Sequence, residues 1–232
     1  MSISENIAAI RQQIALAAER SGRTAADITL VGASKMNDTA ACREAIAAGI
    51  DALGENRVQE MTQKLAENAY DGAPLHFIGH LQRNKVKQVV GVAQLIHSVD
   101  SVELMSAISR EAEKKGVVQD ILLEINVAGE ASKSGVAPEN LPELLEKAGD
   151  FPGLRVRGLM AIPPICCFPD ENLPYFNLMQ QLFIDNGEKK YDNVVMDFMS
   201  MGMSGDYMTA IECGANMVRV GSAIFGPRNY RL

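Results

Sequence analysis

The chain is poor in the features that mark nucleic-acid-binding, membrane-spanning and disulfide-rich proteins. Its 22 lysine and arginine residues are outnumbered by 29 acidic residues, which gives a formal net charge of −7 and argues against a nucleic acid or an acidic membrane as partner. No run approaches the roughly 20 apolar residues that cross a bilayer. The cysteines, Cys42, Cys166, Cys167 and Cys213, have the spacing of neither a metal site nor a disulfide framework. We therefore expect a reduced, cytoplasmic protein.

The chain also lacks a linker. No stretch rich in proline, serine or glycine and no run of like charges divides it, so we expect one domain over residues 1–232 with one large core. Near the N-terminus, Ile7, Ile10, Ile14 and Ala17 recur at helical spacing among polar residues. This pattern predicts an amphipathic helix rather than a signal peptide.

Short apolar runs alternate with longer helical patterns along the rest of the chain. The predicted strands are Ile28–Ala33, Ala52–Gly54, His76–Gly79, Leu95–Val99, Ile121–Val127, Val156–Met160, Val194–Met199 and Met217–Val220. The predicted helices between them include Thr39–Ala48, Arg57–Ala66, Val102–Lys115, Leu141–Ala148, Leu173–Phe183 and Tyr207–Cys213. Such apolar strands are typical of parallel sheets that are covered on both faces. The pattern predicts an α/β fold, a single (β/α)8 TIM barrel with an extra N-terminal helix; an open, doubly wound sheet is the alternative.

In such a barrel, the carboxyl ends of the strands hold the functional site. The residues at these predicted ends that suit a ligand are Ser34, Lys35, Glu55, Asn56, His80, Asn126, Ser200, Ser204, Arg219 and Gly221. The loops after the seventh and eighth strands commonly bind phosphate. One of these loops has Gly202 and Ser204, and the other has Gly221 and Ser222. Glycine lets the backbone approach a phosphate closely, and backbone N–H groups and serine hydroxyls donate hydrogen bonds to that phosphate. An ordinary tight turn is the alternative for each loop.

Lys35 and Arg219 are the charged residues whose positions suggest chemistry. Lys35 follows a largely apolar strand, where burial or a nearby cation would lower its pKa from about 10.4 toward the neutral amine that attacks an aldehyde; otherwise it is a surface lysine that opens the next helix. Arg219 lies within an apolar strand, alternates to the barrel interior and needs an acceptor there, either a carboxylate or a ligand atom. A lysine and a phosphate site together suggest a phosphorylated aldehyde held as a Schiff base.

The histidines give no sign of a metal site. His76, His80 and His97 lack the spacing of metal ligands, and no cluster of acidic or cysteine residues accompanies them. We therefore expect no metal.

Seven segments, taken in order, carry a resemblance to a known family. They are Ser34–Lys35, Gly54–Glu60, His76–Lys85, Lys133–Gly135, Gly158–Ile162, Ser200–Ser204 and Val218–Gly226. In these segments and their spacing, from about Ile3 to Tyr230, the chain resembles the pyridoxal phosphate homeostasis proteins, a single-domain family similar to the N-terminal barrel of alanine racemase. The resemblance implies the fold of that barrel, which is fold type III among proteins that bind pyridoxal 5′-phosphate (PLP).

The resemblance also implies roles for individual residues. Lys35 matches the lysine that forms the internal aldimine with PLP. The other matched positions are Ser204, Gly221 and Ser222 at the phosphate, Arg219 facing the pyridine nitrogen, and Asn56 on the hydroxyl side of the ring. An arginine at that nitrogen keeps it unprotonated and weakens the ring as an electron sink.

Two positions depart from the family's pattern. Met36 and Asn37 stand where many relatives have threonine followed by a lysine, so an auxiliary lysine close to the site is missing. Arg57 stands where tyrosine is frequent. Neither change touches Lys35 or the phosphate loops.

Three functions compete. The resemblance implies a PLP-binding protein of vitamin B6 homeostasis that carries PLP without substantial turnover and is not an enzyme. We expect it to be a monomer, with apo PLP-dependent enzymes as recipients of PLP. The alternatives are an amino-acid racemase or decarboxylase of the same fold, and a Schiff-base aldolase that acts on a sugar phosphate. The chain ends six residues after Gly226, which leaves no room for the β-rich second domain of alanine racemase and disfavours the first alternative. Arg219 suits a ring nitrogen and disfavours the second.

Overall fold

A computed structural model of the chain describes residues 2–130, 134–166 and 168–227. In this part of the chain, eight parallel strands close into a barrel in which β8 pairs with β1. The strands are β1 (Thr29–Ala33), β2 (Ala52–Glu55), β3 (Leu75–Phe77), β4 (Leu95–Val99), β5 (Gln119–Ile125), β6 (Leu154–Ala161), β7 (Val194–Ser200) and β8 (Met217–Val220). The predicted (β/α)8 barrel is confirmed, and the open-sheet alternative is wrong.

Helices cover the outside of the barrel. They are α1 (Ile3–Arg20), α2 (Thr39–Ala47), α3 (Val58–Ala66), α4 (Val86–Val89), α5 (Val102–Lys115), α6 (Leu141–Ala148), α7 (Leu173–Gly187), α8 (Tyr207–Glu212) and α9 (Ser222–Phe225). Within the described residues, none of them combines the length and the apolar composition that a membrane span requires.

The extra N-terminal helix α1 lies on the outside of the barrel, beside the helices that flank β8. It begins with a capping box, in which the side chains of Ser2 and Glu5 each accept a hydrogen bond from the other's backbone N–H. Its buried residues are Ile7, Ile10, Ile14, Ala17 and Ala18. The helix packs against α8 and α9, and Asn6 Nδ2 donates to the carbonyl oxygen of Ile224 at 2.8 Å. Helix α1 therefore supports α9, the short helix that follows β8.

Strand β1 brings together loops that are far apart in the sequence. On one side Ala33 pairs with Gly54 of β2, and on the other Val31 pairs with Arg219 of β8. Because the strands are parallel, their carboxyl ends meet at one edge. The segments that follow β1, β2 and β8 therefore emerge side by side.

Strand β3 ends earlier than the sequence predicts. The pattern predicts His76–Gly79, whereas the strand is Leu75–Phe77. At Gly79 the chain lies against the end of β2, where a Cβ atom would come within 2.2 Å of the carbonyl oxygen of Asn56. This crossing takes the chain out of the sheet and requires glycine.

Candidate functional site

The predicted site residues lie at or beyond the carboxyl ends of the strands. Lys35 follows β1 by two residues, Asn56 follows β2 directly, and Ser204 lies in the loop after β7. Arg219 lies within β8, and Gly221 and Ser222 come directly after it. All six therefore belong to one end of the barrel.

Lys35 and Asn56 line a cavity of about 310 Å³. A second cavity of about 310 Å³ shares Asn56, Gly79 and His80 with the first. Within the described part of the chain, Asn56 Oδ1 is buried and has no hydrogen-bond partner. Buried amide oxygens are normally satisfied, so Asn56 offers an acceptor that suits a hydroxyl group of a ligand.

Ser204 joins the two loops that are predicted to bind phosphate. Its Oγ accepts hydrogen bonds from the backbone N–H of Gly221 at 3.2 Å and of Ala223 at 3.3 Å. Ser222 is exposed, and no described residue pairs with its backbone N–H or its hydroxyl. The end of β8 thus has several donors close together, which suits an anion.

Two glycines of these loops have different roles. A Cβ atom on Gly221 would lie 3.3 Å from the carbonyl oxygen of Ala33, so this glycine lets the β8 loop approach the end of β1 near Lys35. Gly202 has φ of +90°, and a Cβ atom there would lie 2.6 Å from Cβ of Ala210 in α8. The structure gives Gly202 a packing role, where the sequence suggested close approach of a ligand.

Arg219 is buried in the barrel with neutral partners. One guanidinium nitrogen donates to Ser200 Oγ at 2.6 Å and another to the carbonyl oxygen of Ala161 at 2.9 Å. No carboxylate of the described residues lies within 4 Å of it to form the ion pair that was the alternative. Burial lowers its pKa to about 10, against the opposing effects of Glu124 and Asp206, so the group is still protonated at neutral pH. A guanidinium has five N–H donors, and some are left for a ligand.

A buried ion cluster that the sequence analysis missed lies beneath the end of β1. The Nζ of Lys64 donates to the carbonyl oxygen of Ser34 at 2.9 Å and to Glu55 Oε1 and Glu60 Oε1, both at 2.7 Å. Burial alone would lower the pKa of Lys64, but the hydrogen bonds to the two carboxylates raise it above its ordinary value. The only sequence signal was the spacing of four residues between Glu60 and Lys64 on α3.

The same cluster holds the residue on the other side of Lys35. The backbone N–H of Met36 donates to Glu60 Oε1, and Met36 has φ of +63°, in the left-handed region that L-residues seldom adopt. Both neighbours of Lys35 are thus hydrogen-bonded to the same cluster, which is buried at Glu55 and partly exposed at Glu60. The lysine backbone is fixed at the strand end.

Glu124 is a second group that the sequence analysis missed. It lies on β5, is 6% exposed and lines the cavity that also contains Asn56 and His80. Burial and the nearby Asp100 raise the pKa of Glu124 to about 7, against the lowering effect of Arg219. The available signal was a single carboxylate in an otherwise apolar run. Near neutral pH this group can both donate and accept a proton.

Comparisons with known proteins show the family to which the chain belongs. The family model of the alanine racemase N-terminal domain matches residues 6–229. A pyridoxal phosphate homeostasis protein of Aquifex aeolicus is 43% identical over 99% of this chain and 100% of its own, and one of Pseudomonas aeruginosa is 41% identical over 99% of this chain and 97% of its own. The chain belongs to this family.

A solved structure shows the same fold as this chain. The structure of PipY from Synechococcus elongatus with PLP bound has a TM-score of 0.82 and 31% identity to this chain. The match covers 97% of this chain and 100% of PipY.

Of the residues named from the sequence, Lys133, Cys167 and Tyr230 lie outside the described residues.

Proposed function

We propose that this protein binds PLP at the carboxyl end of its barrel and serves in intracellular PLP (vitamin B6) homeostasis. The observation that carries the proposal is the buried guanidinium of Arg219, which has neutral partners and donors left for a ligand. The names of the relatives and the PLP bound to PipY support it. Residues 1–232 are proposed to form a single PLP-binding domain.

Each part of PLP has a matching group in the chain. The proposed contacts are Arg219 with the ring nitrogen, Asn56 with the ring hydroxyl, Ser204, Gly221 and Ser222 with the phosphate, and Lys35 Nζ as the reacting amine. When bound, PLP supplies an aldehyde that condenses reversibly with a primary amine and a ring that withdraws electrons. The chain's own residues hold and orient it.

The proposal is one of holding PLP rather than of turnover. Arg219 is protonated at neutral pH and can only donate a hydrogen bond. A ring nitrogen opposite it stays unprotonated, which weakens the electron withdrawal on which amino-acid chemistry depends. Measurement of α-proton exchange distinguishes this function from that of a racemase.

We propose that apo PLP-dependent enzymes receive PLP from this protein. We also propose that it acts in the cytoplasm and is a monomer. The buried thiols of Cys42 and Cys213 are unpaired, as is usual in a reducing compartment. An amine of a recipient enzyme can take over the aldehyde from Lys35 by exchange, because condensation with an amine is reversible.

Trapping with borohydride tests the site. Protein incubated with PLP and then reduced should carry a phosphopyridoxyl group on Lys35, located by peptide mass mapping. Lys87→Ala, which changes an exposed lysine, should give the same label in the same yield. A label confined to Lys85 or Lys87 would contradict the assignment.

Proton exchange tests the absence of turnover. PLP-loaded protein is incubated in deuterated buffer with amino acids of both configurations, and exchange at the α-carbon is followed by NMR. We expect exchange far slower than enzymatic rates of about 1–1000 per second, while an added apoenzyme gains activity from the loaded protein. Exchange or racemisation at enzymatic rates would favour the racemase.

A further inference from the structure

A line of buried polar side chains runs from Arg219 toward the other end of the barrel. Arg219 donates to Ser200 Oγ at 2.6 Å, Ser200 Oγ lies 3.1 Å from His97 Nδ1, and His97 Nε2 lies 3.1 Å from His76 Nδ1. All four side chains are buried. They come from β8, β7, β4 and β3, so only the closed barrel brings them together.

The far end of this line reaches a separate cavity. His76 contributes to the lining of a space of about 500 Å³. Thr29, Ala52, Leu95 and Met217, which are the first residues of β1, β2, β4 and β8, line it as well. The cavity therefore lies at the amino-terminal mouth, opposite the proposed PLP site.

The direction of each hydrogen bond in the line follows from Arg219 and from the acceptors that are available to Ser200. Arg219 can only donate, so Ser200 Oγ accepts from it and its own hydrogen is left for His97 Nδ1, since Ser200 Oγ has no further partner among the described side chains. Burial lowers the pKa of His97 well below its ordinary value and that of His76 to about 4, so both rings are neutral. His97 then carries its hydrogen on Nε2 and donates it to Nδ1 of His76.

We propose that His97 is a positioning residue that holds the guanidinium of Arg219 in place through Ser200. This inference rests on the proposed function, in which Arg219 meets the ring nitrogen of PLP. The carbonyl oxygen of Ala161 holds one guanidinium nitrogen, and a single anchor lets a planar group pivot about it. The Ser200 hydroxyl is the second anchor, and His97 Nδ1 orients it so that its lone pairs face the arginine.

Two amide variants of His97 distinguish a role in positioning Ser200 from a role in filling space. The amide of an asparagine at position 97 ends near the place of the imidazole Nδ1, whereas that of a glutamine reaches the place of Nε2. His97→Asn therefore keeps an acceptor for Ser200 and loses the contact with His76. His97→Gln keeps the contact with His76 and leaves Ser200 without its acceptor.

The readout is the visible absorption band of bound PLP, together with PLP affinity and thermal unfolding. We expect His97→Asn to keep the wild-type band and to bind PLP within about twofold of wild type. His97→Gln should shift the band and lose about tenfold in affinity, as expected when a hydrogen bond to a charged group is disturbed. Both variants should unfold at similar temperatures. Equal bands and affinities in the two variants would overturn the inference.

A cofactor-free measurement keeps this inference distinct from the proposed function. The chain has 3 histidines, so ¹⁵N NMR of labelled apoprotein can assign each ring, with His80→Gln removing the exposed one. We expect the hydrogen on Nε2 of both His97 and His76. A hydrogen on Nδ1 of His97 would overturn the inference even when the wild-type protein binds PLP. A wild-type protein that binds no PLP overturns the proposed function and this inference with it.

Discussion

Glu124 is a buried carboxyl group whose ionisation opposes folding. Its pKa is about 7 in the folded protein, against 4.5 for the unperturbed group. The folded state therefore binds the proton more tightly, and stability falls as the pH rises from 4.5 through 7. At about 1.4 kcal/mol per pH unit, the penalty at pH 8 reaches roughly 3 kcal/mol.

Glu124→Gln should remove this penalty. We expect the variant to be more stable than wild type at pH 8 by up to about 3 kcal/mol and nearly equal to it at pH 4.5, measured by urea unfolding at both pH values. Glu19→Gln, which changes an exposed carboxylate of α1, serves as the control and should change stability equally little at both. A gain that does not depend on pH would contradict the prediction.

Ser204 is expected to act on the phosphate of PLP. Its Oγ orders the N–H groups of Gly221 and Ala223, so its loss disturbs these donors and removes its own hydroxyl. Ser204→Ala should weaken PLP by about 1–3 kcal/mol in an equilibrium titration. Pyridoxal, which lacks the phosphate, is the matched ligand and should lose much less. Equal losses for the two ligands would place Ser204 outside the phosphate site.

At the scale of elements, helix α3 supports the end of β1 through Lys64. The ammonium bridges the carbonyl oxygen of Ser34 and the carboxylate of Glu55. Removing one partner of a buried ion pair leaves an uncompensated charge, which costs about 3–5 kcal/mol. Lys64→Met should therefore destabilise the protein by that amount in urea unfolding.

The control for this prediction is an exposed lysine. Lys114 lies 3.9 Å from Glu111 on the surface of α5, and Lys114→Met should change stability by less than about 1 kcal/mol. Lys64→Met combined with Glu55→Gln should recover part of the loss, since the fully buried charge of Glu55 is then removed together with its partner. A double variant as unstable as the two single losses added together would contradict the ion-pair explanation.

The predicted bounds of strands and helices agree with the structure where local sequence signals set them, and differ where tertiary contacts do. The bounds of Leu95–Val99 and Val102–Lys115 agree with the sequence pattern because their apolar spacing and flanking residues are local signals. Strand β5 ends at Ile125, two residues before the predicted end. The N–H of Asn126 donates to the carbonyl oxygen of Val136, so a distant segment takes the chain out of the barrel sheet.

At the scale of the whole molecule, the two buried histidines make the barrel sensitive to acid. A histidine in the unfolded chain binds a proton near pH 6.5, whereas folded His76 does so only near pH 4. The unfolded state binds more protons below pH 6.5, so stability falls as the pH drops toward 4, by about 1.4 kcal/mol per pH unit for this residue.

His76→Gln should flatten this dependence. We expect its free energy of unfolding to change less between pH 6.5 and pH 4 than that of wild type, by up to about 3 kcal/mol. His80→Gln, which changes an exposed histidine, should keep the wild-type slope. A His76→Gln slope equal to that of wild type would show that this histidine does not set the acid sensitivity.

The sequence by itself determined the fold class and the order of the loops that surround the proposed site. The spacing of apolar residues, the length of each apolar segment and its composition are local properties of the sequence. Eight successive strand–helix units with these properties are compatible with few sheet architectures. The strand-end positions of Lys35 and Asn56, and the small residues of the last loops, follow from the same reading. The tertiary structure alone decided which side chains meet inside the barrel. Lys64 reaches Glu55 and Arg219 reaches His97 through Ser200 because strand register and closure set distances between residues that no local pattern connects.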